Sequence, residues 1–219
     1  MRGDRDYSPH QGRKKGKWRG FSDSGCGTVS AMPSCVTHNY DPDGVFLGNL
    51  CDLPRAQAEA VLQRIRESGR RIIRPDYLEK RHRTEEWLIG ARRMLLGETS
   101  RKRPIYFFLG DFADGRDLSR PCSLAMPLAA FRPEVVTFTY PDSMTSFSSL
   151  SEIGADGRRK FPYGQVFTFS QIVSVIDEFG LPGERADRTL AHHERYIELQ
   201  VWDDQPIVNF LKAIPLPSG

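Results

Sequence analysis

The apolar residues of this chain change period at the basic turn Arg101-Lys102-Arg103-Pro104, and that switch most narrows the folds open to it. Before the turn they recur at helical spacing. Ala58, Val61, Leu62 and Ile65 make one stripe, since side chains three and four apart share a helix face. Pro54 suits the first turn of that helix, and Gly69 stands just past its end. Pro75 opens a longer helix that reaches about Leu96 and stops at Gly97. Its line Thr84, Leu88, Ala91, Leu95 runs back one turn to Arg81 and then to Tyr77, so a guanidinium stands at the polar end of a core-facing stripe. Residues 45–50 (Val-Phe-Leu-Gly-Asn-Leu) predict a short strand or an ordered lead-in to the first helix.

Beyond the turn the pattern is extended. Ile105-Tyr106-Phe107-Phe108-Leu109 predicts a buried strand broken by Gly110-Asp111. Ser123 to Leu128 predicts a second strand, which Pro127 confines to a sheet edge or a strand end because it has no N–H to donate. Glu134 to Tyr140, rich in β-branched and aromatic residues, predicts a third. Gln165 to Phe169 predicts a fourth, followed by a helix capped by Ser170, carrying Ile172, Val173, Ile176 and Phe179 and stopped by Gly180. Tyr196 to Trp202 alternates and predicts the last strand, with 206–214 of open type. The polar segments 141–162 and 181–193 are expected as loops, the first with the length of a lid. Two helices and then a run of strands is an α+β order: N-terminal helices packed on a mainly antiparallel twisted sheet with one inserted helix, in a single domain over 35–219. The chain holds no glycine-rich dinucleotide fingerprint, phosphate loop or internal repeat, which sets aside a Rossmann dehydrogenase and a P-loop NTPase.

Charge is uneven. Residues 1–20 hold seven basic side chains against Asp4 and Asp6, which more than accounts for the net charge of +3. Residues 1–34 lack a periodic apolar pattern, so a disordered basic tail is expected there. Its cluster Arg13-Lys14-Lys15-Gly-Lys17-Trp18-Arg19 has two readings: a contact to nucleic acid, with Trp18 for stacking, or a solubilising stretch ahead of a start at Met32. No apolar stretch approaches the roughly 18 residues of a membrane span, and no secretory h-region is visible, so a cytoplasmic location and no membrane partner are expected. The four cysteines, at 26, 35, 51 and 122, lack the spacing of a zinc knuckle; no metal is expected, and they are assigned to packing or to indifferent surface.

Three stretches have the residue types of a site. In Tyr196-Ile197-Glu198-Leu199-Gln200-Val201-Trp202, strand alternation puts Ile197, Leu199 and Val201 on one face and Tyr196, Glu198, Gln200 and Trp202 on the other. The second face is either a cleft wall, with a carboxylate and an amide between two rings, or an ordinary solvated sheet face open to a protein partner. Tyr140-Pro141-Asp142-Ser143 either supplies Asp142 and Ser143 to a sheet-rim site or makes an Asx turn. The helix front Lys80-Arg81-His82-Arg83-Thr84-Glu85-Glu86 is mainly a solvated face, but Arg81 on the buried line requires a counter-charge: Glu85, Glu198 or a bound anion. His38 and the pair His192-His193 show no ligand spacing, and no nucleophile elbow or Cys–His pairing supports a hydrolase.

Taken together, Ser123 to Phe131 followed by Val135 to Tyr140, the polar segment after Tyr140, and Tyr196 to Val201 resemble the ADP-ribosyltransferase superfamily, particularly the DarT-like enzymes that modify nucleic acid. The pattern covers about 80 residues without an exact motif, and the chain reads as a bacterial family of its own beside them. The resemblance implies NAD as substrate, with Glu198 as the catalytic glutamate stabilising an oxocarbenium-like centre. It implies Tyr106 or Tyr140 stacked on the nicotinamide, Arg81 or Arg83 at the pyrophosphate, and Asp142, Ser143, Gln200 and Trp202 toward the acceptor. The NAD-holding His or Arg that such enzymes carry early falls to His38, which precedes the first strand read here, or to an arginine on a helix. A non-enzymatic binding or regulatory protein is the competing expectation.

Overall fold

The computed structural model describes residues 32–112, 120–151, 162–181 and 196–214. In chain order the elements are β1 (Cys35–Tyr40), α1 (Arg55–Glu67), α2 (Tyr77–Leu96), β2 (Ile105–Leu109), β3 (Cys122–Pro127), β4 (Val136–Thr139), α3 (Ser143–Ser148), β5 (Val166–Phe167), α4 (Phe169–Phe179), β6 (Glu198–Val201) and α5 (Gln205–Ala213). The strands form one sheet in the order β3-β1-β2-β6-β4-β5. Every pairing is antiparallel, and the class is α+β.

The helices obey the spacing of their residues. Helix α1 buries Ala58, Val61, Leu62 and Ile65, which cluster with Cys51, Ile73 and Leu78. Helix α2 stops where Gly97 turns the backbone to a φ of 78°, a conformation that costs glycine least. Its buried line differs from the expected one beyond Leu88, however. Ala91 and Leu95 are half-buried, while Arg92 is buried and donates to the carbonyls of Gly97 and Glu134. A straight helix drifts relative to a fixed stripe, and here the drift turns a guanidinium inward to two backbone carbonyls. Helix α4 is capped by Thr168 and Gln171, not Ser170, in a reciprocal capping box.

Strand β1 is absent from the sequence expectation because it lacks an apolar alternation; only Val36 is aliphatic. It is nevertheless buried along Val36 to Asn39, between β3 and β2. The ordered body also begins earlier than residue 35. Met32 packs against the main core, and the Ser34 carbonyl accepts from Leu128 N–H at 2.8 Å. The tail cluster at 13–19, with Trp18 and Cys26, lies outside the described residues. The strand-like stretch 45–50 has no strand; it is a loop that ends in a 3₁₀ turn at Leu50–Asp52. Segment 141–162 opens with α3 and not a loop; Arg158 to Lys160 and the 181–193 segment beyond Leu181, with His192-His193, lie outside the described residues.

The sheet has two unlike faces, both covered. Val36, Phe107, Phe138, Leu199 and Val201 share an apolar core with Ile172, Val175 and Ile176 of α4 and Ile207 of α5. The opposite face carries Thr37, Asn39, Tyr106, Thr137, Thr139, Glu198 and Gln200, polar apart from Phe108 beside Glu198, and α2 and α3 meet it at Tyr106 and Glu198. Strand β6 lies between β2 and β4, so its polar side chains stand in the middle of that covered face. Phe138 is fully buried on β4 under α4, and Phe138→Ala is expected to cost about 3–5 kcal/mol of unfolding free energy by chemical denaturation, because the cavity it leaves cannot close.

Candidate active site

The covered polar face opens at one end into a cavity of about 160 Å³ lined by His38, Asn39, Tyr77, Arg71, Arg81, Tyr106, Arg120 and Glu198. Glu198 is brought there by the alternation of β6 and is only 6% exposed. Its Oε1 accepts from Gln200 Nε2 at 3.2 Å and from the Ser143 backbone N–H at 3.3 Å. Oε2 has no hydrogen bond among the described residues. Burial raises the Glu198 pKa; Arg81 opposes that shift, and Asp142 adds to it.

Arg81 finds the counter-charge it requires in Glu85, one turn on, with Nε 3.2 Å from Oε1. Its guanidinium lies 3.9 Å from the centroid of the Tyr106 ring, and Nη1 donates to Ser143 Oγ at 3.3 Å. Burial works against this charge, but Tyr106, Glu85, Tyr77 and Glu198 around it outweigh burial and hold Arg81 firmly protonated. The Tyr106 hydroxyl donates to Glu85 Oε1 at 2.6 Å, and burial pushes its pKa well up. At the mouth, Arg71 Nη2 donates to the Tyr77 hydroxyl at 3.3 Å; burial alone would raise that phenol, but Arg71, Arg81 and Arg120 bring its pKa below the ordinary tyrosine value.

Of the expected site residues, Glu198, Arg81, Tyr106 and His38 line the cavity. Arg83 does not: it is exposed on the far side of α2. Tyr140 is buried in the apolar core, and its hydroxyl donates to the Gly180 carbonyl at 3.1 Å, so it cannot stack in the cavity. Asp142 makes the Asx turn, accepting from Met144 and Thr145 N–H as the cap of α3. Ser143 is fully buried between Arg81 and Glu198 as a strut. Gln200 is likewise internal: Thr137 Oγ1 donates to its carbonyl at 3.0 Å, and its amide donates to Thr139 and Glu198. Trp202 donates to Thr137 Oγ1 at 2.8 Å and is 1% exposed, so with the buried Tyr196 it belongs to the interior and not to a solvated sheet face.

His38 has a structural place. Its Nδ1 hydrogen-bonds the Tyr106 carbonyl at 2.8 Å and its Nε2 accepts from Leu47 N–H at 3.3 Å, which fixes a neutral ring with both nitrogens occupied. Burial lowers its pKa to about 4, the Tyr106 carbonyl opposing. Sequence reasoning passed over Asn39, Asn49, Arg71 and Arg120, which belong to loops or to a strand without periodicity; Tyr77 was signalled by its i,i+4 spacing from Arg81. No group of three or more His, Cys, Asp or Glu among the described residues is arranged to hold a metal, and no described helix is long and apolar enough to cross a membrane.

The His38 pKa carries a stability consequence. Between pH 6.5 and about 4 the unfolded chain binds a proton at His38 that the folded chain refuses, so acidification favours unfolding. The folded state is expected to lose up to about 3 kcal/mol across that window through this residue alone. Denaturant titrations at several pH values should show His38→Gln flattening that part of the slope relative to the parent chain. Compared with protein families, curated proteins and solved structures, the chain finds no match in any of the three.

Proposed function

We propose that this cavity carries out transfer of an ADP-ribosyl group from NAD, with Glu198 as the catalytic carboxylate. The observation that carries the reading is that Glu198, Arg81 and Tyr106, from three separate elements, meet at one sheltered cavity. A carboxylate held in a partly dry groove stabilises positive charge on a sugar carbon more strongly than one in water, because the surrounding dielectric is low. The cavity, at about 160 Å³, is smaller than the roughly 300–1,000 Å³ of pockets for drug-sized ligands. It suits the reacting end of a dinucleotide, the remainder extending past Arg71 and Arg120 at the rim.

In this reading the bond between the ribose carbon and the nicotinamide nitrogen breaks with its electron pair staying on nicotinamide, which leaves neutral. The acceptor's lone pair forms the new bond to that carbon, and the acceptor proton passes to the Glu198 carboxylate. A raised carboxyl pKa helps that last step, since a base titrating nearer to neutrality receives a proton more readily. Tyr106 offers its ring to the leaving group, although one side of it is already covered by Arg81.

Glu198→Gln keeps the shape and the Gln200 contact and is expected to lower nicotinamide release from NAD at least about 100-fold while leaving the thermal transition within a few degrees. NAD at 100 times its Kd is expected to add about 2.7 kcal/mol of stability to the parent protein. The absence of any thermal shift in millimolar NAD rules the reading out.

A further inference from the structure

One carboxylate of the covered face plays no part in the transfer outlined above. Glu85 is fully buried on α2, and its Oε1 alone receives three donors: the Tyr106 hydroxyl at 2.6 Å, Asn49 Nδ2 at 2.8 Å and Arg81 Nε at 3.2 Å. Its Oε2 is buried without a hydrogen-bond partner among the described residues. Asn49 is itself anchored, donating from the same amide to the Pro104 carbonyl at 2.8 Å. No ion pair joins Arg81 to Glu198 among the described residues, although the two are near enough to influence each other's charge. A lone guanidinium in this place would be drawn to the cavity carboxylate, because an unpaired buried charge costs several kcal/mol.

We propose that Glu85 is the positioning residue of this site: it fixes Arg81 over the Tyr106 ring and, by supplying the counter-charge, keeps Arg81 from capturing Glu198, whose Oε2 stays free for a ligand. The geometry accounts for a buried carboxylate that does not itself line the cavity but holds three residues that do, Arg81, Tyr106 and Asn49. It also accounts for Arg81 reaching Ser143 Oγ and not the Glu198 carboxylate, although the Ser143 N–H holds Glu198 directly. The inference concerns the same cavity as the transfer reading but needs no reaction to occur there.

The charged and titratable groups facing Glu198 are Arg81 from α2, Asp142 at the head of α3 and Tyr106 from β2, with Tyr77, His38 and Arg120 further around the wall. The test is therefore a titration of Glu198 itself, followed by ¹³C NMR of protein labelled at the glutamate carboxyl carbon and assigned with Glu198→Gln. In Glu85→Gln, Arg81 loses its counter-charge and the Glu198 midpoint is expected to fall by about one unit or more. A midpoint that stays where it is in the parent overturns the proposal. Arg81→Met/Glu85→Gln removes both charges and serves where the single variant does not fold, since replacing a whole buried pair is better tolerated than breaking it. There Arg81 no longer lowers the carboxyl, so the Glu198 midpoint is expected to rise above the parent's, opposite in sign to the single variant. A midpoint at or below the parent's in the double variant would mean that the change in Glu85→Gln does not run through Arg81, and the proposal fails. These readouts use no NAD, so loss of the transfer reading leaves them standing.

Discussion

The arrangement of the polar face depends on a guanidinium that folding takes out of water. Arg81 lies on the buried line of α2, and a charge in that position is tolerated only with a counter-charge and hydrogen bonds. Glu85 is one helical turn away and provides the first; Ser143 and the Tyr106 ring provide the rest. Each of these partners is then fixed in turn. Tyr106 is held by its hydroxyl, α3 is held against α2 through Ser143, and Ser143 N–H steadies Glu198. Solving the problem of one buried cation thus brings α2, α3, β2 and β6 into a single polar assembly.

The sheet separates this assembly from the hydrophobic core with the thickness of one strand. Leu199 and Val201 take part in the apolar cluster while Glu198 and Gln200, their immediate neighbours, face the other way. Behind Glu198 runs a chain of donors, from Trp202 Nε1 to Thr137 Oγ1, from Thr137 to the Gln200 carbonyl, and from the Gln200 amide to the Glu198 carboxylate. Every buried group in that chain has a partner, which rigidifies it and leaves the amide of Gln200 only one orientation. The carboxylate is therefore braced from the interior and open only toward the cavity.

Much of this is legible in the residues and some is not, for physical reasons. Helices α1 and α2 announce themselves through stripe and stop signals, and the faces of β6 follow from alternation alone. The need of Arg81 for a partner is likewise visible from its place on a buried line. What the pattern cannot carry is long-range filling of space. Strand β1 has no apolar alternation because the face that holds Val36 also carries His38, whose ring packs on Phe107 and Tyr40 in place of an aliphatic side chain. Tyr140 and Trp202 look like candidates for a cleft because they flank polar residues, but large rings next to a sheet also fill its interior, and here Trp202 finds Thr137 and Tyr140 finds the Gly180 carbonyl. His38 resembles a ligand-holding histidine until its two nitrogens are traced to the Tyr106 carbonyl and the Leu47 N–H.

The order of the sheet has a consequence for biosynthesis. Strands β3, β1 and β2 form one ribbon and β4 with β5 another, and β6, the last strand among the described residues, is the slat that joins them. A nascent chain that has not yet reached β6 can hold two partial ribbons but no continuous sheet. The carboxylate that gives the cavity its character arrives on that same closing slat. A copy that stops before β6 therefore lacks both the strand that joins the two ribbons and the carboxylate of the cavity.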